Sequence, residues 1–422
     1  MAGIRIAAVI LFIAGVLLGA CAAPNAAQQP TPNGTNPLNR GASTPLTGSA
    51  ATSLPADTPL SASPSAVPSA SETTASPAAD TPTKGTVTVG FNSFPAYLPL
   101  LIMEKRGLLE QRGYQLRLVP FAFEGKNNFA QPELYDKLRQ GEWDVLATTL
   151  DNFARYADAR AGAITTLIDE SAGADKIVTR PEITTVNDLK GKRIAVLDGG
   201  IGEFFLYYAL NIAGLSPADV TVVRKPQVSE AVQAYIAGEV DAVSAWEPDV
   251  IAAEKAGGRV LISSADLRVI VDVMITARPA LETKAPAVQA FHEAWYQALQ
   301  LMIDAPEEAG QTIVDWGHPD WTFVEKPGDP QDQLKTIAQA TLGANELAFR
   351  SPDLIVSRVK EMEQLWSQVG QQPPQVADPT QLVDGQFVLQ AAKASQLFSK
   401  RPPSNSSFLL TSHIELPALT QQ

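Results

Sequence analysis

The chain has one cysteine in 422 residues, Cys21. That excludes an internal disulfide, a cysteine-ligated metal site built from several thiols, and a further cysteine to act as nucleophile. Histidine is nearly as scarce: His292, His318 and His413 stand far apart, and none has a second histidine or an acidic cluster at metal-ligand spacing. No metal or other cofactor is therefore expected. Basic charge is in deficit, with a formal net charge of -13. Nucleic acid needs basic patches to neutralise phosphate, so it is not an expected partner. No Gly-x-Ser-x-Gly motif occurs, which argues against a hydrolase. Gly199-Gly200-Ile201-Gly202-Glu203 lacks the final glycine of a dinucleotide-binding turn and reads as a strand-to-helix connection.

The first segment carries one positive charge, Arg5, then runs apolar from Ile6 to Leu18. About a dozen apolar residues are too few for a span of about twenty and fit the h-region of a secretory signal. The run closes on Leu18-Gly19-Ala20-Cys21, which resembles the bacterial lipobox. The resemblance implies cleavage after residue 20 and lipid attachment on Cys21, placing the protein on the outer face of the cell membrane. More than one acyl chain would make that anchor stable. Residues 22–84 that follow are almost wholly Pro, Ser, Thr, Ala, Asn and Gly, with very few charges and no aromatic side chain. Such a composition cannot offset the entropy of ordering. As a flexible tether of this length it would span about 45 Å.

From Thr86 onward strand and helix patterns alternate. Thr86–Gly90, Gln115–Val119, Asp144–Thr148, Ala163–Ile168 and Lys176–Thr179 read as strands, and Leu98–Arg112 and Pro132–Arg139 as helices. A second, similar unit begins near Pro181, with strands at Lys192–Leu197, Val220–Val223 and Asp241–Trp246. Helices are expected over Glu203–Ala213 and over Ser229–Gly238, the latter capped by Ser229. Val269–Thr276 is apolar with Asp272 embedded and reads as a strand that crosses back. Val288–Ile303, Glu307–Trp316 and Leu354–Val369 are helical. The expected class is α/β with largely parallel sheets. The divisions are a signal at 1–20, a lipidated linker at 21–84, a first lobe begun by 85–180, and a second lobe at 181–277. A helical return to the first lobe at 278–400 and a flexible tail at 401–422 complete the chain. At roughly 335 residues the ordered part is too large for one core.

The order of these segments resembles the ABC solute-binding proteins of the nitrate, taurine and thiamine-precursor type, which share the two-lobed type II periplasmic binding fold with a hinge and C-terminal helices. Gly90-Phe91-Asn92-Ser93-Phe94-Pro95-Ala96-Tyr97, with Pro99-Leu100-Leu101 and Gly107-Leu108-Leu109-Glu110, resembles the family's first strand, ligand loop and helix. Gly141-Glu142-Trp143-Asp144-Val145 resembles the approach to its second ligand loop. Thr185 through Val196 resembles the start of its second lobe, and Ala237 through Ala242 with Trp246-Glu247-Pro248 the end of it. The resemblance implies a monomer without enzyme activity whose lobes close on one small molecule and present it to an ABC permease and its ATPase. Ligand groups then fall on four loops at the carboxyl ends of strands. The candidates are Asn92, Phe94, Tyr97, Thr148, Thr149, Asp151, Gly199, Gly200, Glu203, Trp246 and Glu247, together with Asp272, which either lines the cleft or pairs with a neighbour.

Those loops contain no Arg or Lys, whereas Asp151, Glu203 and Glu247 lie in them. A bound oxyanion needs donors and is disfavoured. Phe94, Tyr97 and Trp246 suit a flat, neutral ring, while Phe91, Phe204 and Tyr207 are expected in the core. Within the family the resemblance then implies riboflavin, with a thiamine pyrimidine precursor, an alkanesulfonate or nitrate as alternatives. A thiamine-pyrimidine-synthase-like enzyme is more distant, because that resemblance calls for an active-site histidine and a cysteine-rich motif.

Overall fold

The computed structural model describes residues 83–121, 131–316, 328–374 and 376–395. The signal segment, Cys21, nearly all of the linker, His318, Trp321, His413 and the tail from 401 lie outside the described residues. All described elements belong to the second of two compact units, Pro77–Gln422.

In chain order they begin with β1 (Thr86–Phe91), α1 (Leu98–Arg106), β2 (Gln115–Pro120), α2 (Gln131–Arg139), β3 (Val145–Thr149), α3 (Leu150–Tyr156) and β4 (Gly162–Ser171). The middle of the chain supplies β5 (Asp175–Thr179), β6 (Arg193–Leu197), α4 (Ile201–Ile212), β7 (Thr221–Lys225), α5 (Val228–Ile236), β8 (Ala242–Trp246), α6 (Ile251–Lys255) and β9 (Arg259–Ser263). Then come β10 (Val271–Ala277), α7 (Arg278–Thr283), α8 (Ala285–Asp304), α9 (Pro306–Trp316), α10 (Asp329–Gln333), β11 (Ile337–Gln339), α11 (Leu342–Arg350), α12 (Asp353–Gln368) and α13 (Gln386–Ala394).

Two mixed sheets result, ordered β11-β4-β10-β3-β1-β2 and β7-β6-β8-β5-β9. The fold is the two-lobed α/β architecture of periplasmic binding proteins. In the first sheet β1 runs parallel to β2 and β3, and in the second β6 runs parallel to β7 and β8. β1, β3, β6 and β8 are buried along nearly their whole length, as strands covered on both faces must be. Each parallel set is extended by an antiparallel strand: β10 pairs with β3 and β4, β5 with β8 and β9. The expectation of largely parallel sheets is corrected accordingly. So are the lobe boundaries, because β5 belongs to the second sheet and β10 to the first. The chain changes sheet between Ser171 and Asp175 and again between Ser263 and Val271, earlier each time than the expected divisions after residues 180 and 277.

Two helix readings also change. The helix expected over Leu98–Arg112 ends at Arg106, because Gly107 adopts a left-handed conformation (φ 59°) and its amide closes on the Glu104 and Met103 carbonyls. A separate short turn, Glu110–Arg112, follows. α5 starts one residue before Ser229 and its N-cap is Gln227. β9, β11, α11 and α13 escaped the sequence reading. Asn345, fully buried on α11, accounts for part of that. Its amide bonds both the Leu167 amide (2.8 Å) and carbonyl (2.9 Å), anchoring the return helices to β4.

Candidate functional site

Parallel strands point their carboxyl ends one way, and an antiparallel neighbour brings its amino end to the same edge. The ends of β1, β3, β6 and β8 and the starts of β10 and β5 therefore converge. Between them lies a cavity partly open to solvent. From the first sheet come Asn92, Phe94, Tyr97, Phe121, Ala147, Thr148, Thr149, Ile270 and Asp272, with Gln131 and Asn152 from α2 and α3. From the second come Asp175, Leu197, Gly200, Ile201 and Trp246.

Eight of the candidates named from sequence line this cavity: Asn92, Phe94, Tyr97, Thr148, Thr149, Gly200, Trp246 and Asp272. Phe94 and Tyr97 meet edge to face, with ring centroids 5.6 Å apart. Tyr97 is buried, and its hydroxyl donates to Asp272 Oδ1 at 2.5 Å. Burial, then the Asp272 carboxylate it bonds, holds the Tyr97 phenol well above its ordinary range. Asp272 thus lines the cleft and has a hydrogen-bond partner as well, where sequence offered these as alternatives.

Four candidates stand away from the cavity wall. Glu203 is buried and fully engaged: it accepts from Arg224 Nη2 (2.8 Å), Tyr207 Oη (2.6 Å) and the Gly199 amide (2.7 Å). The expectation of a free acid in the first turn of α4 is corrected, because Arg224 from the end of β7 neutralises it. Gly199 makes the turn itself, with φ 66°. A side chain there would meet Arg155 Nη1 at 2.7 Å. Glu247 accepts from Lys176 Nζ (2.6 Å) and Thr336 Oγ1 (2.9 Å), joining the end of β8 to β5 and to the segment before β11. Asp151 lies buried at the start of α3, and burial pushes its carboxyl up to about 6, partly countered by the Thr149 hydroxyl.

Phe91, Phe204 and Tyr207 are buried in the core. Sequence reasoning missed Phe121, Gln131, Ala147, Asn152, Asp175, Leu197, Ile201 and Ile270. Asn152 sat inside a named loop and was passed over for its acidic neighbour. Asp175 opens β5, and only sheet pairing reveals that it faces the cleft. Arg155 was overlooked too. Its guanidinium lies 4.3 Å from the Trp366 ring and 4.8 Å from the Tyr156 ring, behind Gly199.

The dominant electrostatic feature is acidic. Direct cross-strand pairing puts Thr149, Asp272 and Asp169 side by side on β3, β10 and β4, and Gln339 of β11 continues the row. Cross-strand partners share a face of the sheet. A bulge between Asp272 and Val273 lies within this row. Asp169 is fully buried, and neither of its oxygens has a hydrogen-bond partner. Burial, then the Asp272 charge, raises its carboxyl well above the ordinary range; Asp272 is raised by burial as well. Asp175 is pushed up to about 7 by burial, with Asp151 and Glu247 adding to the effect.

Among the described residues, no three acidic or histidine side chains are grouped as a metal site requires. His292, inside α8, is buried beside Phe291 and Phe387, and burial depresses its imidazole to about 3.

Residues 149–309 match a family described as NMT1/THI5 like. A putative binding protein of Brucella abortus is 32% identical over 95 residues, 22% of this chain and 30% of its own length. The putative aliphatic sulfonates-binding protein of Escherichia coli is 29% identical over 177 residues, 38% of this chain and 51% of that protein. The chain thus spans between 30% and 51% of the length of these relatives. Among solved structures, the aliphatic sulphonate binding protein SsuA of Escherichia coli superposes with TM-score 0.55 at 21% identity, over 71% of this chain and 98% of that one. The nitrate-binding protein NrtA of Synechocystis gives TM-score 0.55 at 16% identity, over 76% and 92%. The desulfurization enzyme DSZB gives 0.50 at 15%, over 74% and 99%. Identities this low speak for a common fold.

Proposed function

We propose that this chain, whose residues 149–309 match a family described as NMT1/THI5 like, captures a small solute outside the cytoplasmic membrane and delivers it to an ABC permease driven by its ATPase. The observation that carries the proposal is a single cavity walled by side chains of both sheets, at the edge where their strand ends meet. A ligand touching both walls favours the closed arrangement by the contacts it gains there. That shape is what a permease would read. Among the described residues, the chain crosses between sheets at residues 172–174 and 264–270, which makes these segments the natural hinge.

The reading is of a binding protein acting as a monomer and anchored by lipid on Cys21. Phe94, Tyr97, Phe121 and Trp246 supply flat apolar surface on both sides. This supports an aromatic heterocycle as the guest, with riboflavin and a thiamine pyrimidine precursor the first compounds to examine.

The test is calorimetric titration of the purified protein with riboflavin, hydroxymethylpyrimidine, taurine and nitrate, beside native mass spectrometry of the protein as isolated. Saturable one-to-one binding of a small molecule, lost when Trp246 and Asp272 are both replaced, is expected. A protein that carries no solute and binds none would overturn the reading.

A further inference from the structure

We propose that the solute held in this cleft is a cation, with a protonated nitrogen seated between Asp272 of the first sheet and Asp175 of the second. The inference rests on the solute-binding reading above and narrows it.

Asp272 and Asp175 both line the cavity, and both are almost completely buried. Asp169 stands beside Asp272 on the same face of the sheet, with both oxygens unpartnered. Carboxylates withdrawn from water require a counter-charge or a proton. The charged groups acting on these three are other carboxylates: Asp272 feels Asp175 and Asp151, while Asp169 feels Asp272, Asp175 and Glu170. Asp175 feels Asp151 and Glu247.

Three of the nearby cations are paired with other carboxylates. Lys176 donates to Glu247 and Glu254, Arg224 to Glu203, and Arg268 to Glu170. Arg155 lies against the Trp366 and Tyr156 rings with its Nε and Nη1 unpartnered, and its charge acts on Asp151. None of these four lines the cavity. The missing positive charge is therefore left for the guest to bring.

A second observation points the same way. Asn152 lines the cavity and is 5% exposed. Its Nδ2 donates to Thr149 Oγ1 at 2.8 Å, whereas its Oδ1 has no partner. Gln131 Oε1, also at the wall, is unpartnered too. These free polar atoms are acceptors, so the complementary guest is rich in N–H donors. Tyr97, Phe94 and Trp246 supply ring faces and edges suited to a flat organic cation. The neutral ring expected from sequence gives way because that expectation counted neither Asp169 nor Asp175.

The test uses pairs that differ only in charge: tryptamine against tryptophol, and aminomethyl- against hydroxymethyl-pyrimidine. Each is titrated into the full protein at pH 7 by calorimetry, with riboflavin and taurine in parallel. The amine of at least one pair should bind about tenfold or more tighter than its alcohol, the effect of a charge-assisted hydrogen bond. That advantage should disappear in Asp272→Asn and in Asp175→Asn. Using both variants separates loss of the Tyr97 contact from loss of charge. Equal binding of amine and alcohol, or preference for riboflavin or taurine over every amine, would overturn the cation inference and leave solute capture standing. A chain that binds nothing, and is isolated empty, would remove both.

Discussion

Raising the pH from 5 to 8 should destabilise the ligand-free protein, opposite to the usual behaviour of carboxylates held by salt bridges. In an unfolded chain Asp175 and Asp151 titrate near 3.8; in the fold burial lifts them to about 7 and about 6. Well below pH 3.8 both are protonated in either state, and their contribution to stability is complete. As pH climbs, the unfolded chain ionises freely while the fold retains its protons, so stability falls until the folded values are passed. Between pH 5 and pH 8 Asp175 accounts for about 3 kcal/mol of loss and Asp151 for about half that. Asp169 and Asp272, also raised, act in the same direction. The groups facing Asp175 are Ser171, Asp151 and Glu247; those facing Asp151 are Thr149, Asn152 and Arg155. A loss on the order of 4 kcal/mol corresponds to a fall in Tm of about 8 °C or somewhat less in a chain this large. Differential scanning calorimetry of the solute-free protein across that range provides the measurement, and Asp175→Asn should remove about 3 kcal/mol of the loss. Stability that rises toward pH 8, or a slope untouched by that substitution, would refute the electrostatic account of the cleft.

Three other outcomes follow from the geometry. Trp246→Ala should weaken solute binding by about 1–3 kcal/mol, read by titration with whichever compound binds; unchanged affinity would make Trp246 a wall rather than a contact. Arg224→Ala leaves the buried Glu203 carboxylate without its ion partner, and chemical denaturation should show a loss of about 3 kcal/mol. Solute affinity should be retained there, because neither residue lines the cavity. Cys21→Ser should move the protein from the detergent phase to the aqueous phase on cloud-point partition of whole cells, and retention in the detergent phase would argue against lipid at that position.

Much of the scaffold was legible because its signals are local. Buried parallel strands such as Arg193–Leu197 appear as unbroken apolar runs, and glycines such as Gly214 follow the helices they end. The four ligand loops could be found because they follow those strands. What escaped depends on pairing between distant segments. Asp175 and Asp169 differ in sequence from any other strand aspartate only through partners such as Trp246 and Asp272, which lie far along the chain. Glu203 looked free because Arg224, 21 residues away, is brought to it by the pairing of β6 with β7. Gly107 shows the opposite failure, since apolar spacing continued through a residue whose backbone had already turned.

The crossing of β5 and β10 between sheets also sets an order of assembly. The second sheet draws all its strands from one stretch, Asp175 to Ser263, so it is complete once that stretch has emerged. The first sheet is not. β10 lies between β3 and β4, and until residue 277 arrives those two strands have no common neighbour. As a chain threads outward amino end first, its leading lobe must wait, half built, for its trailing sibling to finish. Contacts of long sequence separation form late. Truncation between Ser263 and Val271 therefore leaves a sound second half attached to a split first one.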